Sequence, residues 1–555
     1  MITSSTKTIA LIGNVWDPVQ GESLKTLVIA NGKITQLMDG KGDLSNLPGI
    51  TVIQLDANTT IFPGLINLHT HTTYNILPIW ESNEVWKNRF QWRNNASYKQ
   101  DIGGLLDYIQ KNWTNDPDPQ FVASFSRSVL QTLPGSANAP ALSTLAAQAQ
   151  SALSQINTAY AIISEIQAVA GGTTLIQETA PLDKEPANER SFIIRNTGNQ
   201  SDLQIPATEQ VFSVVDFYKP DATPNGTPAQ DTSTWTPTKD GSSYADFINS
   251  VNNKNSSYYA TLVHLGEGKS GFIKGSTPDP YSKKEVDGLF QSLKTDIPDI
   301  ANLQKANLVL THGCGIDLSN DELLTSMAAN NISLIWSPVS NLLLYLDTTD
   351  VRKLLDKNIN ICLGSDWSPS GSKHVLDELK FAKFVNDLLG LGISAGDLFS
   401  MVTANPVKAM GIGNTGAIRE NFNADLFVLR KNNATDNALD ALLASDDSDI
   451  DLVMVNGRIV FGLTSYFKDQ LQVDFQPFPA AEGNNVAQRG VSINSALPFN
   501  LPGSLNSIDT LLQRYCTTVI DQPQMKRTKF LASDDTVYTG NIDALKQQLT
   551  KLYNP

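Results

Sequence analysis

Ile61-Phe-Pro-Gly-Leu-Ile-Asn-Leu-His-Thr-His71 carries two of the five histidines in this 555-residue chain. On a β-strand, residues two apart share a face, so the imidazoles of His69 and His71 project together as a chelating pair. The run Leu65 to Leu68 ahead of them is apolar enough to be buried on both sides, as in a parallel sheet covered by helices. Whether this pair is half of a metal site depends on where the other histidines and a carboxylate fall.

The composition is that of a globular protein, with 41% hydrophobic and 17% charged residues. A formal net charge of −15 without any basic run argues against nucleic acid as a partner. Three cysteines, Cys314, Cys362 and Cys516, are too few and too scattered for a disulfide framework. No leader pattern opens the sequence and no window holds 18 consecutive apolar residues, so the expected location is cytoplasmic, without membrane contact.

Outward from the opening stretch, short apolar strands alternate with helical patterns. Strands are expected at Leu65 to Leu68, Thr173 to Gln177, Phe192 to Arg195, Val211 to Phe217, Tyr258 to His264, Asn307 to Thr311, Ile332 to Trp336 and Ile359 to Leu363. Apolar positions from Leu142 to Ile166, spaced by threes and fours and stopped by Gly171-Gly172, predict a long amphipathic helix over 141–170. Eight strands separated by helical segments predict an α/β chain built as a (β/α)8 TIM barrel over 61–409, with its site at the C-terminal strand ends.

Short strands at 8–56, with a hairpin signal at Asn31-Gly32, and similar strands from Ala424 to Phe461 predict a composite β-sandwich from residues 1–60 and 410–463. An insertion at 76–140 holds Trp80, Trp86, Arg89, Phe90, Trp92, Arg93 and Tyr98, either as a wall over the barrel mouth or as a self-packed surface subdomain. Lys219 to Ser243 reads as a mobile loop. Residues 464–555 read as a C-terminal extension outside both units, with helices at Ser507 to Cys516 and at the terminus, where Ile542, Leu545, Leu549 and Leu552 share a face. It packs on the barrel or joins subunits of a homo-oligomer.

The other candidate groups also end strands. Thr261-Leu-Val-His264 and Leu308-Val-Leu-Thr-His312 each close an apolar strand on a histidine, and Ile359-Asn-Ile-Cys-Leu-Gly-Ser-Asp366 closes the last strand on a carboxylate. His69, His71, His264 and Asp366 form an expected ligand set of three nitrogens and one oxygen, open to water. One divalent metal ion, zinc or Fe(II), suits such ligands and brings the pKa of bound water from about 15.7 to about 7, producing hydroxide for attack. Glu267, in His264-Leu-Gly-Glu267, is the candidate acid/base, His312 the group that steadies substrate or hydroxide, and Asp366 an additional proton acceptor. His374 reads as an ordinary surface or packing residue.

These motifs, together with Gly171-Gly-Thr-Thr174, Thr311-His-Gly313, Ser337-Pro-Val-Ser-Asn341 and Thr403-Ala-Asn-Pro-Val-Lys-Ala409, resemble the amidohydrolase superfamily, and most of all its mononuclear branch of cytosine and guanine deaminases and triazine chlorohydrolases. The resemblance spans residues 8 to 463. It implies metal-ligand positions for His69, His71, His264 and Asp366, a proton shuttle at Glu267 and an outer histidine at His312. The implied activity is hydrolysis of a C–N bond, other than a peptide bond, in a small heterocycle or cyclic amide. Binuclear relatives carry a carboxylated lysine on the fourth strand. None lies in Val211 to Phe217, and Lys219 just beyond is the candidate for a binuclear amide or peptide hydrolase. A non-catalytic scaffold is the remaining alternative.

Overall fold

The computed structural model describes residues 7–71, 75, 77, 79–80, 82, 84–99, 102, 162–177, 193–198, 203–205, 210–221, 231–253, 259–471, 475–477, 488–492, 533 and 535–554. Most of the insertion, the first two-thirds of the predicted 141–170 helix and the predicted helix at Ser507 to Cys516 lie outside them. Among the described residues no helix is long and apolar enough to cross a membrane.

The N-terminal strands are β1 (Ile9–Asp17), β2 (Gly21–Ala30), β3 (Lys33–Asp39), β4 (Thr51–Gln54) and β5 (Thr59–Pro63). β1 and β2 run longer than their apolar stretches because Asn14 to Glu22 continue the hairpin in register. The tip is closed by Asp17 Oδ1, which accepts from the backbone N–H groups of Val19 and Gln20 at 2.8 Å each, and by Gly21 at φ 73°.

Strands β6 (Leu65–Asn67), β7 (Thr173–Ile176), β8 (Arg195–Asn196) and β9 (Gln210–Asp216) follow, then the hairpin β10 (Tyr218–Pro220) and β11 (Pro237–Lys239). That hairpin corrects the loop reading of Lys219 to Ser243. Its two prolines stand opposite each other at the end of the ladder, so the missing N–H groups remove little pairing. Next come β12 (Tyr259–Leu265), β13 (Leu308–His312), β14 (Ser333–Trp336) and β15 (Ile361–Leu363).

Two parallel sheets result, ordered β6-β7-β8 and β15-β14-β13-β12-β9. They meet where Thr70 and Asp366 form a parallel bridge, with Asp366 N–H donating to His69 O at 2.9 Å and His71 N–H to Asp366 O at 3.2 Å. The period of two divides the strand side chains between two cores. Ile66, Leu175, Leu262, Val309, Ile335 and Cys362 pack on one another, whereas Val263, Leu308, Leu310, Leu334 and Leu363 pack outward on the helices.

Five helices position the site. The first, α1 (Arg89–Asn94), is capped by Asn88 Oδ1, which accepts from Phe90 N–H. Helix α2 (Pro280–Asp296) starts on Asp279, whose carboxylate accepts from Ser282 N–H, with proline at the first helical position. Helix α3 (Pro338–Tyr345) is almost wholly buried, and α4 (Val375–Leu389) ends on left-handed Gly390. The terminal helix α5 (Thr536–Tyr553) buries Ile542, Leu545 and Leu549 as predicted, adds Tyr538, and leaves Leu552 half-buried.

The remaining strands, β16 (Leu426–Arg430), β17 (Ile450–Val455), β18 (Arg458–Leu463), β19 (Gln476–Pro477) and β20 (Arg489–Val491), join β1–β5 in one ten-stranded sheet. β16 pairs with β5 antiparallel, so Phe62 and Phe427 stand side by side with ring centroids 5.4 Å apart. The sheet also takes in β19 and β20, so the chain beyond residue 463 is not wholly outside the two units. The sequence signal there was drowned by prolines and asparagines around two very short strands.

Candidate metal centre

The strand ends bring His69, His71, His264, His312 and Asp366 to one place. His69 and Asp366 follow the two strands that flank the Thr70–Asp366 bridge. His264 and His312 close neighbouring strands, where the parallel register sets Leu265 beside His312 and Asp216 beside His264. Ring centroids of His69 lie 5.1, 5.0 and 5.2 Å from those of His71, His264 and His312. The donor atoms of His69, His71 and Asp366 lie within 4.8 Å of one another, as do those of His69, His264 and His312.

Local backbone makes this crowding feasible. A Cβ on Gly364 would stand 2.4 Å from the Cβ of His69, so only glycine lets β15 approach β6 this closely. Asn67 locks the approach, donating to Ser365 Oγ at 2.7 Å and accepting from Ser365 N–H at 3.1 Å. His312 and Asp366 hold left-handed backbone, with φ of 69° and 58°. Such conformations cost about 1–3 kcal/mol each away from glycine and concentrate at functional sites.

The donor chemistry fits a divalent cation. His69 is fully buried and, among the described residues, its ring nitrogens meet no well-aligned hydrogen-bond partner, Nε2 lying 3.2 Å from Asp366 Oδ1. His71 Nε2 lies 3.7 Å from the same oxygen. Burial, reinforced by the neighbouring His69, lowers the pKa of His71 from 6.5 to about 4, and burial also drives His264 well below its ordinary value. Burial by itself would raise Asp366, but His69 and the other imidazoles outweigh it and hold the carboxyl well below the usual range. Neutral imidazoles and an ionised carboxylate are the protonation states that bind metal. Nitrogen and oxygen donors accommodate zinc and Fe(II) alike.

Around this cluster stand the proton-handling groups. Glu267 is 5% exposed, with Oε1 accepting from the Tyr345 phenol at 2.6 Å and Oε2 lying 3.6 Å from His312 Nε2. His312 Nδ1 lies 3.0 Å from Asn341 Oδ1, which only accepts, so the ring's proton sits on Nδ1 and Nε2 faces the cluster. The Asn341 orientation is supported by its amide N–H donating to Thr348 Oγ1 at 3.3 Å. Ser340 Oγ donates to Asp366 Oδ2 at 2.6 Å.

Several of these residues escaped the sequence reading. Ser340 and Asn341 stood in the Ser337-Pro-Val-Ser-Asn341 motif without a role, and Tyr345 lies one helical turn beyond Asn341 on the same face of α3. Asp216 was hidden at the end of an apolar strand. It lies 3.4 Å from His264 Nδ1 and accepts from Arg89 Nη1 at 2.8 Å. Trp86, Arg89, Phe90, Trp92 and Tyr98 are buried, and the segment they occupy lies against this site.

Two other candidates stand elsewhere. Lys219 is 58% exposed on β10 and pairs with Asp240 at 2.7 Å, away from the histidines, which removes the support for a bridging lysine. His374 is buried, in the packing role rather than the surface one. It caps α4, its Nε2 lies 3.2 Å from Asp447 Oδ2, and it fills the space a side chain at Gly171 would need.

Comparison with known proteins agrees with the motifs. Residues 278–460 match the Amidohydrolase family. A 5-methylthioadenosine/S-adenosylhomocysteine deaminase of Pyrococcus furiosus is 28% identical over 191 residues, which are 32% of this chain and 45% of that protein. A 5'-deoxyadenosine deaminase of Methanococcoides burtonii is 32% identical over 143 residues, 24% of this chain and 33% of that protein. The chain thus spans less than half the length of these curated relatives. Among solved structures, a guanine deaminase from C. acetobutylicum with bound guanine superposes with a TM-score of 0.47 at 15% identity, covering 82% of this chain and 100% of that one. An adenosine deaminase from Xanthomonas campestris with bound zinc gives 0.47 at 13% identity, covering 82% and 92%.

Proposed function

We propose that the protein is a metal-dependent hydrolase of a non-peptide C–N bond in a small nitrogen heterocycle or cyclic amide, and that its reaction is the deamination of an aminated ring. The observation that carries this reading is the convergence of His69, His71 and Asp366, with the His264 ring centroid 5.0 Å from that of His69 and 5.7 Å from that of His71, beside a buried carboxylate, Glu267, that is not part of the ligand set. In the same reading the eight parallel strands close as a (β/α)8 barrel over 61–409. The ten-stranded sheet is the composite β-sandwich of 1–60 and 410–463, carried on into the 464–555 extension. The mutual packing of Ile66, Leu175, Leu262, Val309, Ile335 and Cys362 supports closure, because those side chains fill a barrel interior.

His69, His71, His264 and Asp366 would hold one divalent ion, zinc or Fe(II). When bound it supplies Lewis acidity, bringing the pKa of water from about 15.7 to about 7. Glu267 then takes a proton from the attacking water and delivers it to the departing nitrogen, so water oxygen replaces the ring's amino group and ammonia leaves. His312, with its unprotonated Nε2 facing both Glu267 and Asp366, accepts a hydrogen bond from the attacking water or the reacting carbon's substituent. Asp366, steadied by Ser340 and ionised next to the imidazoles, is an acceptor the water's proton can pass to in transit.

The named relatives deaminate adenine nucleosides by their names, so those compounds belong in the assay with purines, pyrimidines, triazines and cyclic amides. The test is ammonia or amine release from that panel by metal-loaded protein. Turnover of a ring substrate, abolished in Glu267→Gln while metal is retained, is the expected result. Undiminished turnover in that variant, or the absence of bound metal from an intact fold, overturns the reading.

A further inference from the structure

We propose that Tyr345 and Trp92 are positioning residues that fix the proton-carrying carboxylate, making the segment at 86–98 part of the reaction machinery. The inference rests on Glu267 acting as the proton carrier. Trp92 Nε1 donates to the Tyr345 phenol at 2.8 Å, and that phenol donates to Glu267 Oε1 at 2.6 Å.

The polarity of this chain is fixed by chemistry. An indole N–H only donates, so the phenol oxygen must be its acceptor, and the single phenol proton is left for the carboxylate. A glutamate's last torsion is broad and soft in the absence of such a restraint. Here Oε1 is held from the side of α3, which leaves Oε2 turned to His312 Nε2 at 3.6 Å. Tyr345 is fully buried, and burial together with the negative Glu267 keeps its phenol protonated far above neutral pH, so the donor persists throughout the working range.

The grip comes from two directions. Three residues before Trp92, Arg89 N–H donates to Glu267 O at 3.2 Å, and Lys269 N–H donates to Lys87 O at 2.8 Å. A side chain on Gly268 would meet Lys87 O at 2.5 Å, so the two segments lie against each other at the minimum separation. Trp92 is itself wedged between Tyr98 and Trp367, with ring centroids 4.9 and 5.9 Å away, and Trp367 follows Asp366. Backbone and side chain of one segment thus clamp the candidate acid/base carboxylate.

Tyr345→Phe deletes one oxygen and keeps the packing. With a substrate from the panel it is expected to lower kcat by about 10- to 100-fold, the scale of a misaligned proton transfer, with KM within about twofold and metal content unchanged. Trp92→Phe, which leaves Glu267 and Tyr345 intact, is expected to shift kcat in the same direction by a smaller factor. An inactive Glu267→Gln alongside a Tyr345→Phe of undiminished kcat overturns the inference but not the proposed function. An active Glu267→Gln overturns the proposed function itself. A readout free of any substrate is the urea-unfolding midpoint of Tyr345→Phe, Glu267→Gln and the double variant. A double-variant shift smaller than the sum is expected, and strict additivity overturns the inference.

Discussion

Arg89 Nη1 donates to Asp216 Oδ1 at 2.8 Å, tying α1 to the end of β9 beside His264. Arg89 is 3% exposed and its Nη2 lies 3.5 Å from Glu285 Oε1, so one guanidinium faces two carboxylates. Burial raises Glu285 to about 7 despite the cation, whereas Arg89 holds Asp216 below the usual range against the effect of burial. Arg89→Leu therefore strips the buried Glu285 of its cation and leaves Asp216 only Arg93, 3.6 Å from its Oδ2. Breaking such a pair from one side costs about 3 kcal/mol, and urea denaturation is expected to register a loss of that order. Arg89→Leu/Asp216→Leu is expected to recover part of it.

The metal cluster yields a prediction independent of any substrate. Wild-type protein loaded with zinc should retain about one ion per chain after desalting, held by its four protein donors with a position left for water. His69→Ala and Asp366→Asn are each expected to leave it nearly metal-free by elemental analysis. His374→Ala should retain the ion, since His374 packs against Asp447. A chelator should lower the thermal midpoint of the wild type and leave that of Asp366→Asn where it was, because only the former has bound ligand to lose.

What the sequence disclosed and what it concealed differ in physical kind. His69, His71, His264, His312 and Asp366 were legible because each ends an apolar run, and a strand's direction fixes where its last residue points. The strands around them were legible for the same reason, to within two or three residues at each end. Asp216, Tyr345 and Arg89 were not, because their roles arise from contacts between residues 78 to 127 positions apart. No local period records such a contact. The β10–β11 hairpin was concealed by a pairing that tolerates proline, and β19 and β20 by their brevity.

Gly364 tests whether close strand approach sets the site. Its Cβ would meet His69 Cβ at 2.4 Å and Ile335 Cγ2 at 2.8 Å, neither of them the end of a flexible chain. Gly364→Ala is expected to destabilise the protein by about 1–3 kcal/mol, the ordinary cost of overpacking, and to weaken zinc retention by displacing His69. Gly390→Ala is the control for general loss of stability. Gly390 has open space around its Cβ but φ of 64°, so it should lose stability and keep its metal.

Glu378 gives a pH dependence whose sign can be worked out. It sits on α4, fully buried, accepting from Val339 N–H at 3.0 Å and from the Ser372 hydroxyl. Burial outweighs both hydrogen bonds and raises its pKa from 4.5 to about 8. In the unfolded chain the carboxyl ionises near 4.5, so between the two values the folded state binds more protons than the unfolded state. Stability must then fall as pH rises. The contribution is complete below pH 4.5, declines through neutrality and is gone above about 8. Urea midpoints measured from pH 5 to pH 9 should decline across that window in the wild type. Glu378→Gln, neutral throughout, should remove this part of the slope while Glu285→Gln removes a separate part ending near 7. An unchanged slope in Glu378→Gln would mean that the buried carboxyl is ionised in the native protein at neutral pH.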